Sequence, residues 1–202
     1  MNDGLERRLA RHEPVAAPDL DALRATLARR ADEAGLLDVA YAPFDSPLGQ
    51  LTVFVTQRGV VRLAYPGEPM EAQLAELAER VSPRILAAAR RTDPVRRELH
   101  AYFAGRLREF HSPIDWRLVR GFAGGVLRAT ARVPYGSVTT YRDVASAAGS
   151  PRAYRAAGNA LGSNPIPIVV PCHRVVHADG GLGGYTGGLE RKEFLLHLEG
   201  AR

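Results

Sequence analysis

The spacing of the apolar residues changes once along this 202-residue chain, and that change restricts the fold more than any other feature. From Asp38 to Tyr65 the period is two. Val39 and Tyr41 alternate with smaller neighbours, and Leu51-Thr-Val-Phe-Val55 and Val60-Val-Arg-Leu-Ala-Tyr65 follow, separated by the turn signals Ser46-Pro-Leu-Gly49 and Arg58-Gly59. Side chains in a strand point alternately to opposite faces, so these segments predict three antiparallel strands. Helical spacing then takes over at 69–81 (Leu74, Leu77, Val81) and at 94–107, where Asp93 is placed to cap and Pro94 to occupy the first helical position.

From residue 113 onward the pattern is mostly helical. Trp116 to Arg132 carries Leu118, Phe122, Val126 and Leu127, and Val133-Pro-Tyr-Gly136 turns the chain. A short helix over Thr140–Ala148 closes at Gly149. Ser150 and Pro151 are placed to open the next one, which runs to about Leu161. Two short helices joined by a glycine-containing turn form a helix-turn-helix pattern. Tyr154, Ala157 and Leu161 share one face of the second helix; Arg152, Arg155 and Asn159 share another. Small residues (Ala153, Ala156, Gly158, Ala160) keep that helix thin enough for close approach of a partner. The last helix, Glu190–Glu199, would turn Phe194, Leu195 and Leu198 inward. At the other end, Asp19 caps a segment in which Leu20, Leu23, Leu27 and Ala31 are helically spaced before Gly35, an arm that would pack on the rest of the chain or fray.

The expected class is therefore α+β: a small antiparallel sheet with helices, then a mostly helical part. The expected division is an arm at 1–37, an α+β domain at 38–112 and a C-terminal domain at 113–202. No apolar stretch approaches a membrane span, and the N-terminal stretch Leu5-Glu-Arg-Arg-Leu-Ala-Arg-His12 lacks a signal peptide's apolar core, so the cytoplasm is the expected location. The net charge of +5 is uneven. Residues 1–112 hold 16 arginines and 16 acids, whereas residues 113–202 hold 11 basic and 6 acidic side chains, so the whole excess lies in the C-terminal part. A polyanion would be drawn there. A solvated basic face is the plainer explanation of the same count.

Cys172 is the only cysteine, which excludes an internal disulfide framework and a cysteine-rich zinc site and suits a reducing compartment. It follows the apolar run Ile166-Pro-Ile-Val-Val170 and stands directly before His173. A thiol with an ordinary pKa is only about 3% ionised at pH 7, and a neighbouring imidazole that accepts its proton removes that handicap. The alternative is a small buried hydrophobe, the commoner fate of a free cysteine.

The flanking residues decide between these. Val133-Pro-Tyr-Gly, Thr140-Tyr-Arg-Asp-Val-Ala, Arg155-Ala-Ala-Gly-Asn-Ala, Asn164-Pro-Ile-Pro-Ile-Val-Val-Pro-Cys-His-Arg-Val-Val176, Gly183-Gly-Tyr-Thr-Gly-Gly-Leu189 and Lys192-Glu-Phe-Leu-Leu occur in this order. This series resembles the O6-alkylguanine-DNA alkyltransferases, which repair DNA by direct reversal. The resemblance is dense from 133 to 199 and looser before that, where Phe44-Asp-Ser-Pro-Leu-Gly49 also fits; it does not reach residues 1–37.

The resemblance implies a ribonuclease-H-like N-terminal domain and a C-terminal domain holding the Pro-Cys-His-Arg loop. Cys172 would accept the alkyl group, with His173 as its base through a water and Glu199 orienting that histidine. Asn164 and Arg174 would be structural supports. A lesion base in a duplex must be rotated out; Arg155 would fill the gap it leaves, and Tyr141 would press on the target phosphate and help protonate the guanine. Arg152, Ala156, Gly158 and Asn159 would face DNA, with the helix in the minor groove. Tyr185, Thr186, Val175 (through its carbonyl) and Pro167 would line the substrate pocket, around which the glycines of 183–188 bend. Thr186 stands where a serine is frequent, and Tyr154 where a smaller residue is common.

The expected partner is double-stranded DNA carrying O6-alkylguanine, with O4-alkylthymine also open, bound by a monomer. No cofactor, metal or membrane is expected; some relatives carry zinc in the N-terminal domain, but this chain has a single thiol. Two other readings are a DNA-binding lesion sensor, which typically lacks the cysteine, and a Cys-His hydrolase, for which no oxyanion loop precedes Cys172.

Overall fold

The computed structural model describes residues 19–202. Residues 1–18, the outer half of the expected arm, lie outside the described residues. The inner half forms α1 (Leu20–Glu33), capped as expected by Asp19, whose carboxylate accepts from the backbone of Asp21 and Ala22 at 3.0 Å each. Its leucine stripe does not pack inward. Leu20, Leu23 and Leu27 are all more than half exposed, and Ala28 makes the buried contact instead.

Strands β1 (Val39–Ser46), β2 (Gly49–Thr56) and β3 (Gly59–Ala64) form the expected antiparallel meander. A fourth strand, β4 (Ile85–Ala87), pairs parallel with β1, in the order β3-β2-β1-β4. The sheet is thus mixed, not antiparallel. The reason is the connection: α2 (Met70–Arg80) carries the chain across one face of the sheet and returns it in the direction of β1. Alternation then fills both faces. Val39, Phe54, Val61 and Ala64 pack with Leu77 of α2. Ala40, Phe44, Leu51, Val53 and Val55 face Val95, Leu99 and Tyr102 of α3 (Ala89–Phe103).

Helix α3 begins before Pro94 rather than at it, and Asp93 lies inside the helix, bonded to Arg96 at 3.0 Å. The Thr92 hydroxyl, donating to the Ala89 carbonyl, supports the earlier first turn. Pro94 has no N–H to give Arg90.

The C-terminal part packs on the same core. A 3-10 turn (Trp116–Leu118) precedes α4 (Gly121–Thr130), so the single helix expected over 116–132 is two pieces. After β5 (Thr139–Thr140) come α5 (Tyr141–Ala147) and α6 (Tyr154–Gly162). Thr140 and Asp143 form a reciprocal capping box on α5. Ser150 does not cap α6: its N–H donates to Ala145, closing α5 over Gly149, whose φ of +83° only glycine adopts without cost. Arg152 therefore sits in the connecting turn, ahead of the helix. β6 (Val175–Val176) pairs parallel with β5, and α7 (Leu189–Leu198) buries Lys192, Leu195 and Leu196, while Phe194 is 39% exposed. No helix among the described residues is long and apolar enough to cross a membrane.

Candidate active site

Cys172 is delivered by two successive tight turns. The Val169 N–H reaches the Pro167 carbonyl across Ile168, and the Cys172 N–H reaches the Val170 carbonyl across Pro171 (φ −80°, ψ +64°). Ile168 has φ +72°, a conformation that costs a β-branched residue on the order of 1–3 kcal/mol. It is nevertheless fully buried, so core packing holds the strain. The following 3-10 turn, Cys172–Arg174, buries all three of its side chains.

Asn164, two residues beyond α6, fastens this segment. Its amide donates to the Val170 carbonyl at 2.9 Å and to Cys172 Sγ at 3.1 Å, and its carbonyl accepts from Ile166 at 3.0 Å. Burial pushes the Cys172 thiol up; against that stand the Asn164 donor, the Lys192 charge, the thiol's own backbone N–H and the Tyr185 hydroxyl. The resting group is a protonated thiol, and ionising it calls for a base.

Behind the thiol lies a buried charge cluster centred on Glu199, which caps the C-terminus of α7. Oε1 accepts from His173 Nε2 at 2.9 Å, Arg174 Nη2 at 2.8 Å and the Tyr102 hydroxyl at 2.6 Å; Oε2 accepts from Arg174 Nε at 2.8 Å. Although burial opposes ionisation, the hydrogen bonds of His173 and Arg174 bring the Glu199 carboxyl down to about 2. Burial lowers His173 in spite of Glu199. The imidazole is therefore neutral, with its proton on Nε2 toward the carboxylate. Nδ1 is left as a buried acceptor with no protein partner.

A cavity of about 670 Å³ opens in front of Cys172, between α5, α6 and the 183–186 loop. Tyr185 and Thr186, expected at the pocket, line it, and so do Tyr141, Arg155 and Gly158, expected to face DNA, together with Arg142, Tyr154 and His177. Arg155, Ala156 and Asn159 of α6 and Arg152 ahead of it are exposed, whereas Ala157, Ala160 and Leu161 are buried. Tyr154 belongs to the outer face, at 43% exposure, not to the core. A second cavity, of about 390 Å³, reaches Cys172 from the side of the sheet, and Pro167 lines this one. The Thr186 hydroxyl ties the loop to the Gly162 carbonyl.

Val175 is not brought into either cavity: it is fully buried, and its carbonyl accepts from Lys192 Nζ at 2.6 Å. Lys192, which stands in the motif series with no role attached, is a buried charge beside the site. The chain's only lysine is fully buried, spans from Val175 to the Leu182 carbonyl, and is brought down by burial to about 8. Its solitary use in an arginine-rich chain was the available signal. Tyr65 and Tyr102, both from the sheet half, were legible only as apolar positions.

Fold and site together define an α+β protein built around one buried thiol, backed by a histidine–glutamate pair and fronted by a cleft with a basic rim. Residues 39–116 match the family model described as 6-O-methylguanine DNA methyltransferase, ribonuclease-like domain, and residues 121–201 match that of the DNA binding domain of the same family. The methylated-DNA–protein-cysteine methyltransferase of Mycolicibacterium paratuberculosis is 42% identical over 161 residues, covering 80% of this chain and 92% of that protein. The crystal structure of Mycobacterium tuberculosis O6-methylguanine methyltransferase superposes with a TM-score of 0.67 at 38% identity, covering 81% of this chain and 94% of that one. The M. tuberculosis protein OGT, in complex with DNA, gives 0.64 at 36% identity, covering 80% and 93%. The chain belongs to the 6-O-methylguanine DNA methyltransferase family.

Proposed function

We infer that this protein repairs O6-alkylguanine in double-stranded DNA by taking the alkyl group onto Cys172. The observation that carries this reading is the placement of the Cys172 thiol on the wall of a 670 Å³ cavity, with the His173–Glu199 pair buried behind it. His173 accepts the thiol proton at Nδ1 through a bridging water, and Glu199 stabilises the imidazolium that forms. Sγ attacks the carbon on O6: the C–S bond forms, the C–O bond breaks, and guanine leaves with the bonding pair. The proton taken from the thiol is returned overall to the guanine, with Tyr141 at the cavity wall as its donor. A thioether does not hydrolyse under these conditions, so each chain acts once.

The target base reaches the cavity only after leaving the stack. α5 and α6 with their turn serve as a helix-turn-helix, and the exposed Arg152, Arg155, Ala156 and Asn159, with Gly158, form the DNA-facing side. Arg155 fills the gap in the duplex, its guanidinium planar enough to stack. The alkyl substituent is directed toward the second cavity, beside Pro167 and Tyr185. The division into domains near residue 113, a monomeric state and a cytoplasmic location belong to the same reading.

The test is the intact mass of the protein after mixing with excess duplex carrying one O6-methylguanine. A gain of one methyl group on the peptide holding Cys172, saturating at one per chain, is expected. Binding without a mass change would make the protein a lesion sensor instead.

A further inference from the structure

The motifs that carry the site all lie beyond residue 133, yet the thiol's surroundings are completed from the sheet half. Tyr65, the residue after β3, is 7% exposed and sits on the wall of the second cavity with Tyr185 and Cys172. Its hydroxyl lies 2.7 Å from that of Tyr185, with the two rings edge to face at 6.3 Å. Gly187 passes between the two rings: a Cβ there would meet ring carbons of both tyrosines at 2.8 Å. Arg191 of α7 covers the Tyr65 ring at 4.9 Å and holds the Gly187 carbonyl at 2.8 Å. The loop bearing Tyr185 is thus clamped onto a side chain of the opposite half of the molecule.

We propose that Tyr65 is a positioning residue for the nucleophile, holding the Tyr185 hydroxyl so that it donates to the Cys172 thiolate. This deepens the reading of Cys172 as alkyl acceptor and rests on it. The proton inventory sets the direction of the chain. Each phenol has one proton; when Tyr185 donates to sulfur, its oxygen is free to accept, and Tyr65 supplies that proton. A hydroxyl that accepts a hydrogen bond becomes a better donor in turn. With the Tyr65 hydroxyl removed, Tyr185 keeps its ring contacts but loses both its orientation and that polarisation.

Other groups bear on the thiol too: the Asn164 amide at 3.1 Å, Lys192 of α7 and Tyr141 of α5, with the neutral His173 next in the same turn, while Glu68 and Arg191 bear on the Tyr65 phenol. Burial holds both phenols above their ordinary range, so both are protonated donors at neutral pH.

The experiment is the pH dependence of Cys172 alkylation by iodoacetamide, followed by intact mass on the full chain. Tyr65→Phe should move the midpoint upward by about 0.5–1 pH unit, the scale of one lost hydrogen bond. In a Tyr185→Phe background the same substitution should add no further shift. A profile that superposes on the unsubstituted protein's overturns the proposal, and so does an equal shift in both backgrounds. Iodoacetamide needs no DNA, so a failure of methyl transfer from a duplex would sink the proposed function without deciding the role of Tyr65.

Discussion

The Tyr102 hydroxyl donates to Glu199 Oε1 at 2.6 Å, joining α3 of the sheet half to the C-terminus of α7. The same oxygen accepts the His173 Nε2–H, so the carboxylate behind the base is held in part by a residue 97 positions away from it in sequence. Tyr102→Phe leaves Arg174 and His173 in place and should destabilise by about 1.5–3 kcal/mol, the worth of a hydrogen bond to a charged group. Glu199→Gln strands Arg174 without its counter-charge and should cost about 3–5 kcal/mol. It should also slow methyl transfer about 100-fold or more, because the imidazolium loses its partner. Urea titration and single-turnover kinetics read the two effects separately; an unchanged rate would confine Glu199 to structure.

Acid stability follows from the same carboxylate. Its ordinary value is 4.5 and its folded value about 2, so the ionised form is favoured by folding. The resulting stability is fully present above about pH 4.5 and is lost as pH falls toward 2, up to about 3 kcal/mol from this group. Glu199→Gln should flatten that part of the stability curve, measured by denaturant midpoints between pH 5 and pH 2.5.

Lys192→Met should remove one buried and one part-buried hydrogen bond and leave the Val175 carbonyl unpaired, costing about 2–4 kcal/mol. Its second effect is electrostatic. Lys192 is protonated below about pH 8, and there its charge favours the thiolate. The rate deficit of the variant should be largest below pH 8 and narrow above it, as Lys192 in the unsubstituted protein loses its own proton. A deficit independent of pH would leave only the structural role.

Arg155 is exposed beside the cavity, with its guanidinium 5.8 Å from the Tyr154 ring. Arg155→Ala should slow repair of duplex O6-methylguanine by about 10-fold or more while leaving the reaction with free O6-benzylguanine near its original rate, since the free base needs no extrusion. Equal losses on the two substrates would remove the duplex-specific role.

Local rules carried far in this chain where one element answers to its own residues. The alternation in β1–β3 and the Asp19 cap are both decided within a turn or a strand of themselves. They misled where a residue had two possible employers. Ser150 closes α5 instead of opening α6, and Pro94 sits inside a helix whose start is set by Thr92. β4 was invisible because three residues carry no period; its partner β1 lies 46 positions earlier, reached across α2. Of the site, Cys172, His173, Asn164 and the cavity-lining Tyr141, Arg155 and Tyr185 were readable from motif order. Val175 was not, because nothing local says that its carbonyl is taken by Lys192.

By itself, then, the sequence determined the class of the fold, the single thiol and the base beside it, since each depends on residue type and short spacing. Only the tertiary structure decided how that thiol is supported. Burial gives Lys192 its effect on Cys172, and Tyr102 its hold on Glu199, because a charge or hydroxyl removed from water acts strongly on what it touches. Such contacts, 97 and 120 positions apart along the chain, exist only once the two halves share a core.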